Sequence, residues 1–150
     1  MEIKSYDDAI KFAIQREEEA IKAYGDLSEK AKVPGLKDLL LELQGEEKNH
    51  KKLLLNITQE QIASFEKTDV IDLKISDYLT TEPPGEEMTF QDLLIFAAKK
   101  EQNAVDLYTS LRDRTENNEL KRLFEFLITQ EKSHKLKLEE EYEKQVLSDD

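Results

Sequence analysis

Two short motifs of glutamate and histidine are the part of this chain best suited to chemistry. Glu47 and His50 are three positions apart, and Glu131 and His134 repeat the same Glu-x-x-His spacing. Residues three apart lie on one face of an α-helix, so each motif aims a carboxylate and an imidazole at a single point. Such a mixed set suits iron or manganese, and zinc also binds it. The motifs therefore predict metal binding.

Two further glutamates, Glu17 and Glu101, each precede the glutamate of a motif by the same interval along the chain. Each interrupts an apolar stripe with helical spacing, so its carboxylate is expected to face the core. Four buried carboxylates repel one another and are costly unless positive charge neutralises them. Two divalent cations would do so, with both histidines completing the coordination. The predicted ligands are Glu17, Glu47, His50, Glu101, Glu131 and His134.

The chain reads as an internal duplication. One constant shift aligns its two halves without a gap, pairing Glu17 with Glu101 and His50 with His134. Repeats of this kind indicate that one structural unit occurs twice. The candidate ligands therefore belong to two equivalent sets.

Each half predicts two antiparallel helices joined by a short break. Ser5 and Thr89, each followed three residues later by an aspartate, are expected to cap the first and third helices. The second helix is predicted from about Leu36 to the low sixties, and the fourth from about Leu120 to the low 140s. The breaks within the two hairpins fall at 33–35 and 116–118.

A long connection separates the two hairpins, which are predicted at about 5–64 and 89–147. The stretch 65–88 loses the helical pattern, contains a Pro-Pro-Gly stop signal and includes a possible short helix at about 71–79. A connection of this length suits a crossover along a bundle better than a tight turn. Residues 1–150 are thus predicted to form one all-α, four-helix-bundle domain.

Composition narrows the classes of partner. The formal net charge is −12, which disfavours nucleic acid and anionic membrane surfaces. The chain has no cysteine, which excludes disulfides and thiolate metal sites. It also lacks a signal-type or membrane-spanning apolar run, so a cytoplasmic protein is expected.

The chain resembles the rubrerythrin branch of the ferritin-like di-iron carboxylate superfamily. The resemblance spans nearly the whole chain apart from the crossover and the termini. It implies a ferritin-like bundle holding two iron ions, with Glu17 and Glu101 as terminal ligands, Glu47 and Glu131 as bridging ligands, and one histidine on each metal. It is carried by Glu17-x-x-Ala20-x-x-x-Tyr24, Glu47-x-x-His50, Glu101-x-x-Ala104-x-x-x-Tyr108 and Glu131-x-x-His134.

The resemblance also suggests roles for residues around the ligands. Tyr24 and Tyr108 lie two turns beyond Glu17 and Glu101, where they could hydrogen-bond the carboxylates or bound oxygen species. They are therefore the candidate catalytic residues. Buried aromatic side chains with a hydrogen-bonded hydroxyl are also common in protein cores, so a packing role is the alternative. Glu46 and Gln130, each directly before a bridging glutamate, are candidates to orient the opposite histidine.

The function implied by the resemblance is a di-iron oxidoreductase that reduces hydrogen peroxide or dioxygen. A chain without cysteine carries no rubredoxin-type domain, so electrons must come from an external donor such as a rubredoxin-like protein. Ala104 stands where rubrerythrins tend to carry an extra glutamate, which implies a symmetric six-ligand centre. A homodimer is expected. Two alternatives remain open: a ferroxidase or iron-storage protein within a multi-chain cage, and a structural bundle that binds metal without reacting.

Overall fold

The structure, a computed structural model, describes residues 5–65 and 89–148. Within these ranges the chain is helical and contains no strand, which confirms the expected all-α class; one isolated antiparallel bridge joins Phe65 to Thr115. None of the described helices is long and apolar enough to cross a membrane. The helices are α1 (Tyr6–Lys30), α2 (Pro34–Leu55), α3 (Gln59–Ile62), α4 (Phe90–Asp113) and α5 (Asn118–Ser148).

The four long helices pair as two hairpins. Most of the packing between helices is of α1 with α2 and of α4 with α5, and α1 also packs on α4 and α2 on α5. Hydrogen bonds link Tyr24 with Glu101 and Tyr108 with Glu17, so α1 and α4 run antiparallel and their equivalent residues face each other. Apart from Phe65, the predicted crossover and its short helix lie outside the described residues.

Side-chain caps fix where the helices begin. The Ser5 hydroxyl accepts a hydrogen bond from the backbone N–H of Asp8, and Thr89 forms a reciprocal capping box with Asp92. Pro34 opens α2 at its first turn, where the missing N–H costs no hydrogen bond. The side-chain oxygen of Asn117 accepts from the N–H of Leu120 and so begins α5.

The predicted end of the second helix was wrong. α2 stops at Leu55 rather than in the low sixties, and α3 follows after a break at 56–58. The reason is local: Thr58 and Gln61 form a capping box, which starts a new helix and competes with continuation of the old one. α5 runs beyond the predicted low 140s to Ser148 because no glycine or proline interrupts it.

The core consists of two apolar clusters separated by a layer of charged side chains. One cluster packs around Phe12, Leu111 and Phe124, and the other around Leu40 and Leu94. Every long helix contributes to both clusters. Between them lie buried polar residues from all four helices: Glu17, Glu47, His50, Glu101, Glu131 and His134.

Candidate metal centre

The structure brings all six predicted ligand residues together in the middle of the bundle. α1 supplies Glu17, α4 supplies Glu101, and α2 and α5 each supply a Glu-x-x-His pair. None of the six is more than 3% exposed. Burial of this many ionisable groups is rare unless they are paired or bind a cation.

The Nδ1 atom of His50 faces three carboxylates. It lies 3.0 Å from an oxygen of Glu131, 3.2 Å from Glu47 and 3.6 Å from Glu17. His134 repeats the arrangement, with Nδ1 3.0 Å from Glu47, 3.4 Å from Glu131 and 3.7 Å from Glu101. Because each distance in one half has a close counterpart in the other, the duplication in sequence extends to the geometry of the site.

One atom of each of the six residues is buried without a hydrogen bond: Oε2 of Glu17 and Glu101, Oε1 of Glu47 and Glu131, and Nδ1 of both histidines. The six residues form two groups of four, and in each group one nitrogen or oxygen atom from every residue lies within 4.8 Å of the others. Glu47 and Glu131 belong to both groups, whereas each of the other four residues belongs to one. Buried polar atoms in native proteins are normally satisfied. Their convergence therefore fits two cations sharing two carboxylates.

The electrostatics of the cluster favour bound positive charge. Burial and the negative charge of Glu47 raise the pKa of Glu17 to about 8. Burial also raises the pKa of Glu101, and the negative charge of Glu47 raises it further. Burial raises the pKa of Glu131 as well, and the charges of Glu101 and Glu47 act in the same direction. Burial has the same tendency at Glu47, but the nearby His134 and His50 outweigh it and lower its pKa.

The buried carboxylates raise the pKa of both histidines and so favour their protonated, positively charged form. Burial alone would lower their pKa, yet Glu17 and Glu47 raise the pKa of His50 to about 10. Glu101 and Glu47 likewise raise the pKa of His134 to about 11. A cluster that binds protons this firmly is also suited to divalent cations, which compete with protons for the same atoms.

Tyr24 and Tyr108 lie beside the outer carboxylates. The Tyr24 hydroxyl donates to Oε1 of Glu101 at 2.5 Å, and the Tyr108 hydroxyl donates to Oε1 of Glu17 at 2.5 Å. Burial, reinforced by these negative neighbours, raises the pKa of both phenols well above the ordinary value, so both remain protonated donors. Each tyrosine holds one oxygen of a carboxylate whose other oxygen faces the cluster.

The outer nitrogen of each histidine meets a residue from the opposite hairpin. Nε2 of His50 lies 3.3 Å from the amide oxygen of Gln130, and Nε2 of His134 contacts a carboxylate oxygen of Glu46. These are the contacts expected for Glu46 and Gln130. An acceptor at Nε2 holds the proton there and leaves Nδ1 as the atom directed at the carboxylates.

The sequence pattern did not reveal three neighbours of the site. Arg16 and Lys100 are equivalent residues beside Glu17 and Glu101, and each lies over a phenylalanine ring, with cation-to-centroid distances of 6.0 and 5.2 Å. Burial lowers the pKa of Arg16, and its positive charge interacts electrostatically with Glu17 and Glu101. Phe126 packs the edge of its ring against His50, with centroids 6.2 Å apart. The equivalence of Arg16 and Lys100 within the duplication was the available sign in the sequence.

Comparison with known proteins agrees with this geometry. The rubrerythrin family model matches residues 8–142. A solved structure of a hypothetical protein from Pyrococcus furiosus has a TM-score of 0.69 at 27% identity, over 93% of this chain and 89% of that one. A search of curated proteins found no match. Since the family match spans most of the chain and the buried glutamates and histidines lie within it, the chain belongs to the rubrerythrin family of ferritin-like proteins, whose members usually bind iron.

Proposed function

We propose that the protein is a di-iron oxidoreductase of rubrerythrin type that reduces hydrogen peroxide, or dioxygen, with electrons from an external donor. The observation that carries the proposal is the set of six buried, unpartnered atoms in two groups of four that share Glu47 and Glu131. Four carboxylates neutralise two divalent cations, and carboxylate with imidazole is a donor set that suits iron.

The shared glutamates would hold both ions. In this assignment Glu47 and Glu131 bridge, while Glu17 with His50 and Glu101 with His134 complete the two ends. Two ferrous ions, when bound, supply the two electrons that convert one hydrogen peroxide and two protons into two molecules of water. By contributing to both groups of four, Glu47 and Glu131 would hold the two ions close together, so that one oxidant molecule could reach both.

The protein around the ligands would keep them in place and keep bulk water out. Tyr24 and Tyr108 fix the outer carboxylates by donating to Glu101 and Glu17. The two apolar clusters lie above and below the charged layer and limit the access of solvent. Hydrogen bonds strengthen in such a low-dielectric environment, so the carboxylates should keep their orientation when the charge of the bound ions changes.

Turnover requires a reductant from outside this chain. With no cysteine, the chain cannot hold the thiolate-ligated iron that could pass electrons internally. A small iron–sulfur protein of rubredoxin type is the proposed donor, and the proposed assembly is a homodimer. A mass in solution of twice the 17.5 kDa chain would support this assembly, whereas a shell of many chains would favour iron storage.

Rapid mixing tests the proposed reaction. Protein loaded anaerobically with ferrous iron is mixed with peroxide or with air-saturated buffer, and the near-ultraviolet absorbance of oxidised iron is followed. Faster oxidation by peroxide than by air supports the peroxidase. Faster oxidation by air that continues when excess iron is added supports iron handling instead, and no oxidation by either would favour a structural metal site.

Variants of the ligands connect the reaction to the site. Glu47→Ala and His134→Ala should abolish peroxide reduction. Glu47 belongs to both groups of four, and His134 is the only histidine of its group. Glu140→Gln, on the exposed part of α5, is the control and should react like the wild type. Unchanged peroxide reduction in either ligand variant would refute the proposed function.

A further inference from the structure

The two halves of the site differ at the outer nitrogen of each histidine. The distances from the histidine Nδ1 atoms to the carboxylates nearly match, at 3.0, 3.2 and 3.6 Å for His50 and 3.0, 3.4 and 3.7 Å for His134. The acceptors at Nε2 do not match: His134 meets the carboxylate of Glu46, whereas His50 meets the neutral amide of Gln130. Glu46 and Gln130 are equivalent positions of the duplication, so this one pair makes the partners of the two histidines differ in charge.

This difference has a chemical consequence for a bound metal. An imidazole that donates its outer N–H to a carboxylate becomes a more basic ligand than one that donates to an amide, because the negative charge draws the proton away from the ring. Partners of this type usually change metal affinity by about 10–100-fold when they are removed. The Glu46 carboxylate is partly buried, with its side chain 31% exposed, so solvent screens this contact only in part.

We infer that Glu46 is a positioning residue that makes the two metal sites unequal, so that the site containing His134 and Glu101 binds its ion first and more tightly. The inference rests on the proposed function only in requiring that the cluster bind two cations. The site containing His50 and Glu17, whose histidine has the amide of Gln130 as its partner, fills second.

Titration with Co²⁺ tests the inference without any turnover. Calorimetry and the visible absorption of bound Co²⁺ give the two binding steps, and proton NMR shows which histidine N–H signal, assigned beforehand in the metal-free protein, first acquires a paramagnetic shift. In the wild type we expect two steps separated by about 10–100-fold, with His134 responding first.

Three variants separate charge from geometry. Because the two ions would share Glu47 and Glu131, the second binds more weakly in every variant, and the order in which the histidine N–H signals shift reports the inequality. Glu46→Gln keeps an oxygen acceptor for His134 and should remove this order while weakening the first binding step. Gln130→Glu gives both histidines a carboxylate and should remove the order without weakening the first binding step. The double variant, Glu46→Gln with Gln130→Glu, moves the carboxylate to the other half and should reverse the order, with His50 responding first. A purely structural role for Glu46 predicts no such reversal.

The outcomes distinguish this inference from the proposed function. A simultaneous response of both histidines in the wild type, or the same order in the double variant, would overturn the inference while leaving a two-metal site. Absence of specific Co²⁺ binding by the wild type would instead overturn the proposed function. If Glu46→Gln fails to fold, as judged by circular dichroism, the loss of order expected in Gln130→Glu still decides the question.

Discussion

Replacing Glu17 with glutamine should have opposite effects on the protein without metal and with it. Without metal, burial and Glu47 hold the pKa of Glu17 at about 8, well above its ordinary value of 4.5. Folding at neutral pH must therefore bring a proton to this carboxyl. A carboxyl whose pKa is raised on folding lowers stability as the pH rises from 4.5 to 8. Glutamine has no charge to neutralise and can still accept the hydrogen bond that Tyr108 donates.

The size of the effect follows from the difference in pKa. At pH 7 the raised pKa lowers the free energy of unfolding of the wild type by up to about 3 kcal/mol, a loss that Glu17→Gln does not suffer. At pH 5 this difference between the two proteins falls below about 1 kcal/mol. Because the Glu17 carboxyl is already protonated at pH 7, the variant removes no charge from beside His50, which keeps Glu47 and Glu131 within 3.2 Å. Glu17→Gln should therefore be the more stable protein without metal, by a margin that grows between pH 5 and pH 8.

Metal reverses the ranking. An ion present at 100 times its dissociation constant stabilises the wild type by about 2.7 kcal/mol, and Glu17→Gln lacks the carboxylate that the ion beside His50 requires. Urea unfolding with chelator and with Co²⁺, at pH 5, 7 and 8, measures both effects. The control is Glu18→Gln, an exposed neighbour on the same helix, which should change neither. A Glu17→Gln protein that is less stable than the wild type without metal at pH 7, or that gains as much from Co²⁺, would refute the reasoning.

Three further predictions follow from individual contacts. Tyr24→Phe and Tyr108→Phe should each destabilise the metal-loaded protein by about 1–3 kcal/mol in urea unfolding, because each leaves a buried carboxylate oxygen without its donor; a loss in only one of them would contradict the symmetry of the site. Metal binding should release protons and weaken as the pH falls, because the neighbouring carboxylates raise the pKa of His50 to about 10 and the pKa of His134 to about 11. Calorimetry in buffers of different ionisation enthalpy measures the proton release. Metal binding without proton release would contradict the assignment of both histidines as ligands. Gly45→Ala should stabilise the protein by about 0.5–1 kcal/mol in thermal unfolding, since no atom lies within 4 Å of the added methyl group; Gly25→Ala should gain less, because its methyl group would come within 2.8 Å of the Gln44 amide, which donates to the carbonyl of Ile21.

The positions of the six candidate ligands were accessible from sequence for a physical reason. A charged residue within an apolar stripe has no favourable place in a core unless something neutralises it, so the interruptions at Glu17 and Glu101 predict a buried charged layer. The duplication showed that the ligands form two equivalent sets. The structure adds that each tyrosine donates to the glutamate of the other half, Tyr24 to Glu101 and Tyr108 to Glu17.

Features set by contacts between helices were not accessible. The break between α2 and α3 depends on competition between a capping box at Thr58 and an apolar pattern that continues through Ile57 and Ile62. The small size of residue 25 matters because the Gln44 side chain of the neighbouring helix occupies the space where a Cβ atom of residue 25 would lie. Periodicity along one helix reports the face that is buried but gives no information about which side chain of another helix approaches it.

An anaerobic ferrous titration shows whether the glutamates and histidines of the buried layer hold two iron ions. Bound and free iron are separated after each addition, for the wild type, for Glu47→Ala and for the exposed control Glu140→Gln. We predict saturation at two ions per chain in the wild type and the control, with binding lost in Glu47→Ala because Glu47 belongs to both groups of four. Saturation at a different number, or equal binding by all three proteins, would contradict it.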